Sequence, residues 1–85
     1  MLAPEGEEAL FEVGDRVRLT KEMRNDGTFP FAKTGEILVP EGSEGYVKKM
    51  GYFLQTIRVY EIDFIELGWV FGCREQELEL VEKAF

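Results

Sequence analysis

Few side chains in this sequence can make or break a bond. Ser43 is its one serine and Cys73 its one cysteine, and no histidine is present to activate either. Cys73 stands beside Arg74, a neighbour that lowers a thiol pKa when both face solvent. The alternation around Cys73 instead points the thiol inward, where cysteine behaves as a small hydrophobe. Glu61 and Asp63 share one face of a strand-like run, as the two acids of a glycosidase would. In a period-two strand the same spacing describes a solvated face. Glu41, Glu44, Glu61 and Asp63 supply oxygen ligands, but no loop has calcium-binding spacing. "GEILVPEG" and "GSEG" lack the phosphate-loop pattern, and their glycines read as turns. A single cysteine forms no internal disulfide and holds no metal cluster alone. The residues therefore predict no catalytic set, no metal site and no cofactor.

What remains is recognition, and one stretch stands out for it. "RNDGTFPF", Arg24 to Phe31, sets turn chemistry between aromatics. Asn25 and Asp26 have short side chains that cap backbone groups, Gly27 tolerates positive φ, and Pro30 stiffens the backbone around it. The stretch lies within a connection, Lys21–Gly35, that is long for a compact domain. Two readings of Phe29 and Phe31 stand side by side: they plug one end of the fold, or they touch a partner. Arg24 offers a bidentate fork, and a loop tip needs no guanidinium in order to fold. The candidate partner-binding residues are Arg24, Asn25, Asp26, Gly27, Thr28, Phe29 and Pro30, with Tyr52 and Phe53 beside a second turn.

Charge narrows the partners. The chain carries a net −7, with a pI near 4.6. Such a domain is repelled by nucleic-acid phosphates unless its cations are segregated. Residues 46–58 do contain Lys48, Lys49 and Arg58 without an acid, whereas residues 59–82 hold seven acids and only Arg74. Arg16, Arg18, Lys48, Lys49 and Tyr46 thus keep a nucleic-acid- or ribosome-binding module open as an alternative, although nucleic acid is the less expected partner. A dipolar surface that steers a charged protein is the other reading. The lone thiol fits a reducing cytoplasm. No apolar run approaches the roughly 20 residues of a membrane span.

The elements that must position these residues are short strands. Residues 1–12 are acidic, broken by Pro4 and Gly6, and read as a flexible leader before a single domain over 13–85. Leu10 and Phe11 mark where the leader meets that domain. "GDRVRLTK" alternates Val17 and Leu19 with charged residues. Ile37–Val39 forms a strand ended by Pro40-Glu41-Gly42. Gly45, Val47 and Lys49 alternate with Tyr46, Lys48 and Met50. In "IRVYEIDFIE" the charges assign Tyr60, Ile62 and Phe64 to the interior. A tight Leu67-Gly68 turn sets Phe71 opposite Phe64 and Cys73 opposite Ile62. Pairing that keeps Val47 inward places Lys48 across from Glu61 or Asp63. "REQEL" reads as one helical turn over Arg74–Leu78, and "ELELV" as a closing strand with Leu78 and Leu80 on one face. About five strands, a long first connection and a one-turn helix before the last strand predict an all-β fold, a small SH3-like barrel. An OB-type barrel normally needs more residues and a longer helix.

Taken as an ordered set, "GDRVR", "RNDGTFP", "GEILVPEGSEGYVKKMGYFLQ", "VYEIDF" and "GCREQEL" resemble the NifZ family of nitrogen-fixation proteins, over roughly Phe11 to Val81. The family pattern often carries a glycine after the proline, where this chain has Phe31. The resemblance implies a non-enzymatic, chaperone-like accessory that binds the immature molybdenum–iron protein of nitrogenase. It would act as the P-cluster is completed from iron–sulfur precursors, with the cluster chemistry belonging to that client.

Overall fold

The structure is a computed structural model and describes residues 8–85. Its strands are β1 (Arg16–Leu19), β2 (Met23–Arg24), β3 (Ile37–Val39), β4 (Glu44–Phe53), β5 (Ile57–Phe64), β6 (Trp69–Arg74) and β7 (Leu78–Glu82). A 3₁₀ turn, Glu75–Glu77, precedes β7. Five strands form one sheet in the order β6-β5-β4-β1-β7, and β2 pairs with β3 in a separate two-stranded ribbon. The chain is the expected all-β, SH3-like barrel, strongly bent, with the 3₁₀ turn joining the two ends of the sheet. The long first connection is not irregular throughout. Met23 pairs with Val39 and Arg24 with Ile37, so the connection is a hairpin whose tip carries the Asn-Asp-Gly turn.

Period-two alternation builds the core. Val17, Leu19, Val39, Val47, Tyr60, Ile62, Phe64, Cys73 and Leu78 are all buried, and Phe11 joins them from the N-terminal side. The inward row of β5 is the one the charges assign. Gly45 also faces inward, and its lack of a side chain is required. A Cβ there would lie 2.5 Å from the Asp63 carbonyl oxygen, a contact only a backbone shift could relieve. Leu78 and Leu80 pair with Leu19 and Val17 across β1, although Leu80 stays partly exposed.

Two expected pairings move. Trp69, not Phe71, lies opposite Phe64, so that Phe71 faces Ile62 and Cys73 faces Tyr60. The cause is the loop. Ile65 to Gly68 forms a four-residue connection closed by Leu67 and Gly68 N–H bonds to the Phe64 carbonyl, with Gly68 at φ 69°. A two-residue slip preserves the faces, which is why the inward set survives. On the other side of β5 the ladder breaks at Lys48: Val47 pairs with Ile62 and Lys49 with Glu61. Lys48 is the extra residue of a β-bulge and pairs with neither Glu61 nor Asp63. The bulge turns Lys49 outward and brings Met50 over Tyr60, packed against the core.

The inward row of β5 ends on a charge. Arg58 is 1% exposed, and its Nη1 donates to Glu75 Oε2 at 2.6 Å and to the Glu8 carbonyl at 2.9 Å. The Tyr60 hydroxyl donates to the same carboxylate oxygen at 2.5 Å, as does the Leu10 N–H at 3.0 Å. Residues 8–12, on the leader side of the sequence boundary, are therefore tied to the barrel through Arg58, Glu75 and buried Phe11. The rest of that leader, residues 1–7, lies outside the described residues. A second tie lies at Asp15, fully buried, whose carboxylate accepts the Glu12 and Ala84 N–H groups at 2.9 Å each.

Burial alone raises the Glu75 pKa, but the Leu10 N–H, the Tyr60 hydroxyl and the Arg58 guanidinium outweigh it, so the carboxyl sits below its usual range. A carboxylate with a depressed folded pKa contributes stability above its unfolded value and loses it as pH falls through the folded one. Stability is expected to hold from neutral pH to the ordinary glutamate value of 4.5 and to decline below it. Glu75→Gln should make that decline shallower and cost roughly 3 kcal/mol at pH 7, because it strips the buried guanidinium of its counter-charge. Urea unfolding across pH checks this; an unchanged midpoint at pH 7 contradicts it.

Candidate docking site

The tip of the β2–β3 hairpin is organised by one side chain. Asn25 is 3% exposed. Its Nδ2 donates to the carbonyls of Phe29 and Ala32 at 2.9 Å and of Lys33 at 3.2 Å. Its Oδ1 accepts the N–H groups of Gly27 at 3.0 Å and Phe29 at 3.1 Å. Its own N–H and carbonyl bond Glu36 and Gly35. Asp26 adds a second turn, accepting the Thr28 N–H and, at 2.6 Å, the Thr28 hydroxyl. Those bonds hold the Asp26 carboxyl below its usual range and keep it ionised. Gly27 sits at φ 102°, a conformation that a residue with a Cβ adopts only with strain. The loop is thus long but internally bonded, unlike a disordered connector.

This scaffold fixes two aromatics against β6. The Phe29 ring meets Trp69 edge-on at 5.1 Å, Phe31 at 5.4 Å and Phe71 at 5.6 Å. Phe71 in turn reaches Phe64 of the core at 6.4 Å. Phe31 stacks on Trp69 at 6.1 Å yet stays 77% exposed, and Trp69 is 47% exposed. The four rings form a ladder running from the core to solvent. Phe29 plugs the mouth of the barrel, whereas Phe31 and Trp69 leave apolar surface in solvent. Beside them lies an open cleft of about 430 Å³, lined by Met23, Leu38, Phe29, Pro30 and Phe71 and carrying the charges of Arg24, Asp26 and Glu77.

The sequence candidates divide accordingly. Asp26, Thr28, Pro30 and Phe31 are exposed around this cleft, and Phe29 is half-buried. Asn25 is buried, so its side chain builds the loop rather than reaching out. Arg24 is exposed but occupied: Nη1 donates to the Gly35 carbonyl at 2.8 Å and Nη2 pairs with Glu22 at 3.1 Å. The guanidinium does brace the hairpin, contrary to the premise that the loop has no use for one. Tyr52 and Phe53 are elsewhere. They pair with Arg58 and Ile57, whereas Trp69 pairs with Phe64 at the other end of β5, roughly 20 Å away at strand rise. Trp69 and Phe71 are the residues missed; a tryptophan opening a strand on the inward face, with no core left beyond it, is the signal that points to them.

Two rival surfaces weaken. Arg16 and Arg18 are drawn onto Glu44 at 2.6 and 3.1 Å, and Arg18 also onto Glu79 at 3.0 Å. These side chains sit on three adjacent strands, so opposite charges alternate across this part of the sheet and the two arginines offer little cationic field to a phosphate backbone. Cys73 is buried, and desolvation, aided by the nearby Glu77 charge, pushes its thiol up to about 12. That thiol is protonated at neutral pH and shielded from solvent. Among the described residues no group of acids and cysteine is placed to hold a metal ion, and no helix is long and apolar enough to cross a membrane.

A family model described as the NifZ domain matches residues 8–80. The chain is 46% identical over 70 residues to Protein NifZ of Azotobacter vinelandii, covering 82% of this chain and 44% of that protein. It is 44% identical over 68 residues to Protein NifZ of Klebsiella pneumoniae, covering 80% and 46% respectively. With the Probable NifZ protein of Rhodobacter capsulatus the identity is 41% over 63 residues, covering 74% of this chain and 81% of the relative. The chain spans less than half the length of the Azotobacter and Klebsiella proteins. No solved structure matches it.

Removing the hub is the direct test of the loop. Asn25→Ala leaves buried carbonyls and N–H groups without their partner, at about 1–3 kcal/mol. Amide exchange at Gly27 and Phe29 should accelerate sharply while β5 stays protected. Unchanged exchange at both positions contradicts the assigned role.

Proposed function

This chain belongs to the NifZ family of nitrogen-fixation proteins, and on that premise we propose that it is a non-catalytic docking protein of the cytoplasm. It binds the immature molybdenum–iron protein of nitrogenase while the P-cluster is completed, and releases the mature form. The observation that carries this reading is the outer end of the aromatic ladder. Phe31, on a loop bonded too thoroughly to retract, and Trp69, at the start of β6, hold apolar area in water. Large, stiff, exposed aromatics are what a protein interface uses at its centre.

The reading assigns distinct tasks to the loop residues. Asn25, Gly27 and Arg24 keep its shape. Phe31, Trp69 and the cleft below Pro30 supply contact area. Asp26 places a fixed negative charge beside that area. A pre-shaped surface gives up little conformational entropy on binding, which suits transient association with a large client. Buried Cys73 plays no part, and any iron–sulfur chemistry takes place on the client.

Co-purification with immature and with mature molybdenum–iron protein tests the proposal. The immature form should be retained at least tenfold more strongly. Phe31→Ala with Trp69→Ala should abolish the difference while the far-UV spectrum stays native. Equal retention of both forms, or of neither, overturns the proposal.

A further inference from the structure

The β4–β5 hairpin ends in a turn whose chemistry does not match its conformation. Leu54 and Gln55 stand at φ 54° and 67°, and the Thr56 N–H bonds the Phe53 carbonyl at 3.3 Å. Two consecutive residues in the left-handed region suit Asn-Gly; leucine and glutamine adopt it with strain. The strain is not offset by burial, since Phe53 is 60% exposed and Leu54 71%. Residues 50–57, "MGYFLQTI", contain no charge in a chain where 32% of residues are charged. A turn that only reversed the chain would need neither the apolar tip nor the strained backbone. Strain retained at an exposed apolar apex is the pattern of a presented contact.

The tip is also braced. Arg58 Nε lies 3.4 Å from the Tyr52 hydroxyl, and the guanidinium sits 5.7 Å from the Tyr52 ring centroid. The hairpin end is thereby joined to the buried Arg58–Glu75 pair. We propose that Tyr52, Phe53 and Leu54 form a second docking element, inserted into an apolar pocket of the client protein whose approach side is acidic. This rests on the client-binding function proposed above. The charges select that occupant. The apex, residues 50–57, has no cation to hold a phosphate or lipid headgroup, and the lysines that precede it stand back from the tip, where they meet the rim of a pocket. The exposed cation nearest the tip along β4, other than Lys49 opposite Glu61, is Lys48. The bulge throws it out of the ladder, and among the described residues it makes no ion pair. With the aromatic ladder at the far end of β5, the domain would grip its client at two points roughly 20 Å apart.

The turn gives a test free of folding artefacts, because the informative variant should fold better. Leu54→Asn with Gln55→Gly relieves the strain and is expected to raise Tm by about 5 °C. The same variant should bind purified immature molybdenum–iron protein at least tenfold more weakly, as should Phe53→Ser, which keeps the backbone turn. Lys48→Glu should weaken binding about threefold at low salt. Undiminished binding by the turn variant and by Phe53→Ser overturns this inference and leaves the client-binding function standing. Absence of binding by the unmodified chain overturns both. Sedimentation of the unmodified chain with phosphatidylserine vesicles, or its self-association through the tip, would also overturn the choice of occupant.

Discussion

Everything at one end of this barrel hangs on a single ion pair. Arg58 lies on the inward row of β5, where the apolar pattern calls for a hydrophobe, and Glu75 comes to it from the 3₁₀ turn. In the protein interior such a pair adds little over a well-packed apolar substitute, but losing either partner is expensive. Its effect here is one of placement. The Glu75 carboxylate gathers Arg58, Tyr60 and Leu10, while Arg58 reaches the Glu8 carbonyl and the Tyr52 hydroxyl. One charge pair thus fixes the 3₁₀ turn, the N-terminal approach and the root of the β4–β5 hairpin together. The more exposed ladder of Arg16, Arg18, Glu44 and Glu79 has equally close contacts but sits in high dielectric, where screening leaves it with register more than stability to supply.

The opposite end of β5 is organised without charge. There the core runs out through Phe64 and Phe71 to Phe29, and then to Phe31 and Trp69 in solvent. The surface is held open by Asn25, whose amide is consumed entirely within the loop. A small domain has little core to spare, so keeping these rings outside it is a considerable sacrifice of burial. Both exposed apolar groups are therefore tied to the same strand, each supported by a buried polar residue.

Much of this was legible in the sequence, for identifiable reasons. The inward set of β5 could be read because Glu61 and Asp63 leave only one face for a core. The 3₁₀ turn showed as a break in alternation, and Gly27 and the Asx residues announced a turn, though not the β2–β3 pairing that makes it a hairpin tip. The register of β6 could not be read, because loop length depends on how Ile65 and Glu66 fold back, and no local signal separates a two-residue from a four-residue connection. The bulge at Lys48 was equally hidden: strict alternation puts Lys49 inward, and only the demand that Met50 cover Tyr60 forces the extra residue. Arg58 was invisible as a core group because its partner is 17 residues away. At the docking site the loop was recognisable by composition. Its β6 half was not, since Trp69 and Phe71 join Phe29 only after the barrel has closed.

In the proposed role the barrel meets its client through the apolar groups at the two ends of β5. Hydrogen exchange of the chain, alone and bound to immature molybdenum–iron protein, addresses it most directly. New protection is expected over residues 28–31 and 69–71 and over 52–57, with the strand face bearing Arg16, Arg18 and Glu44 unchanged. Protection confined to that charged face, or none at the two apolar ends, would contradict it.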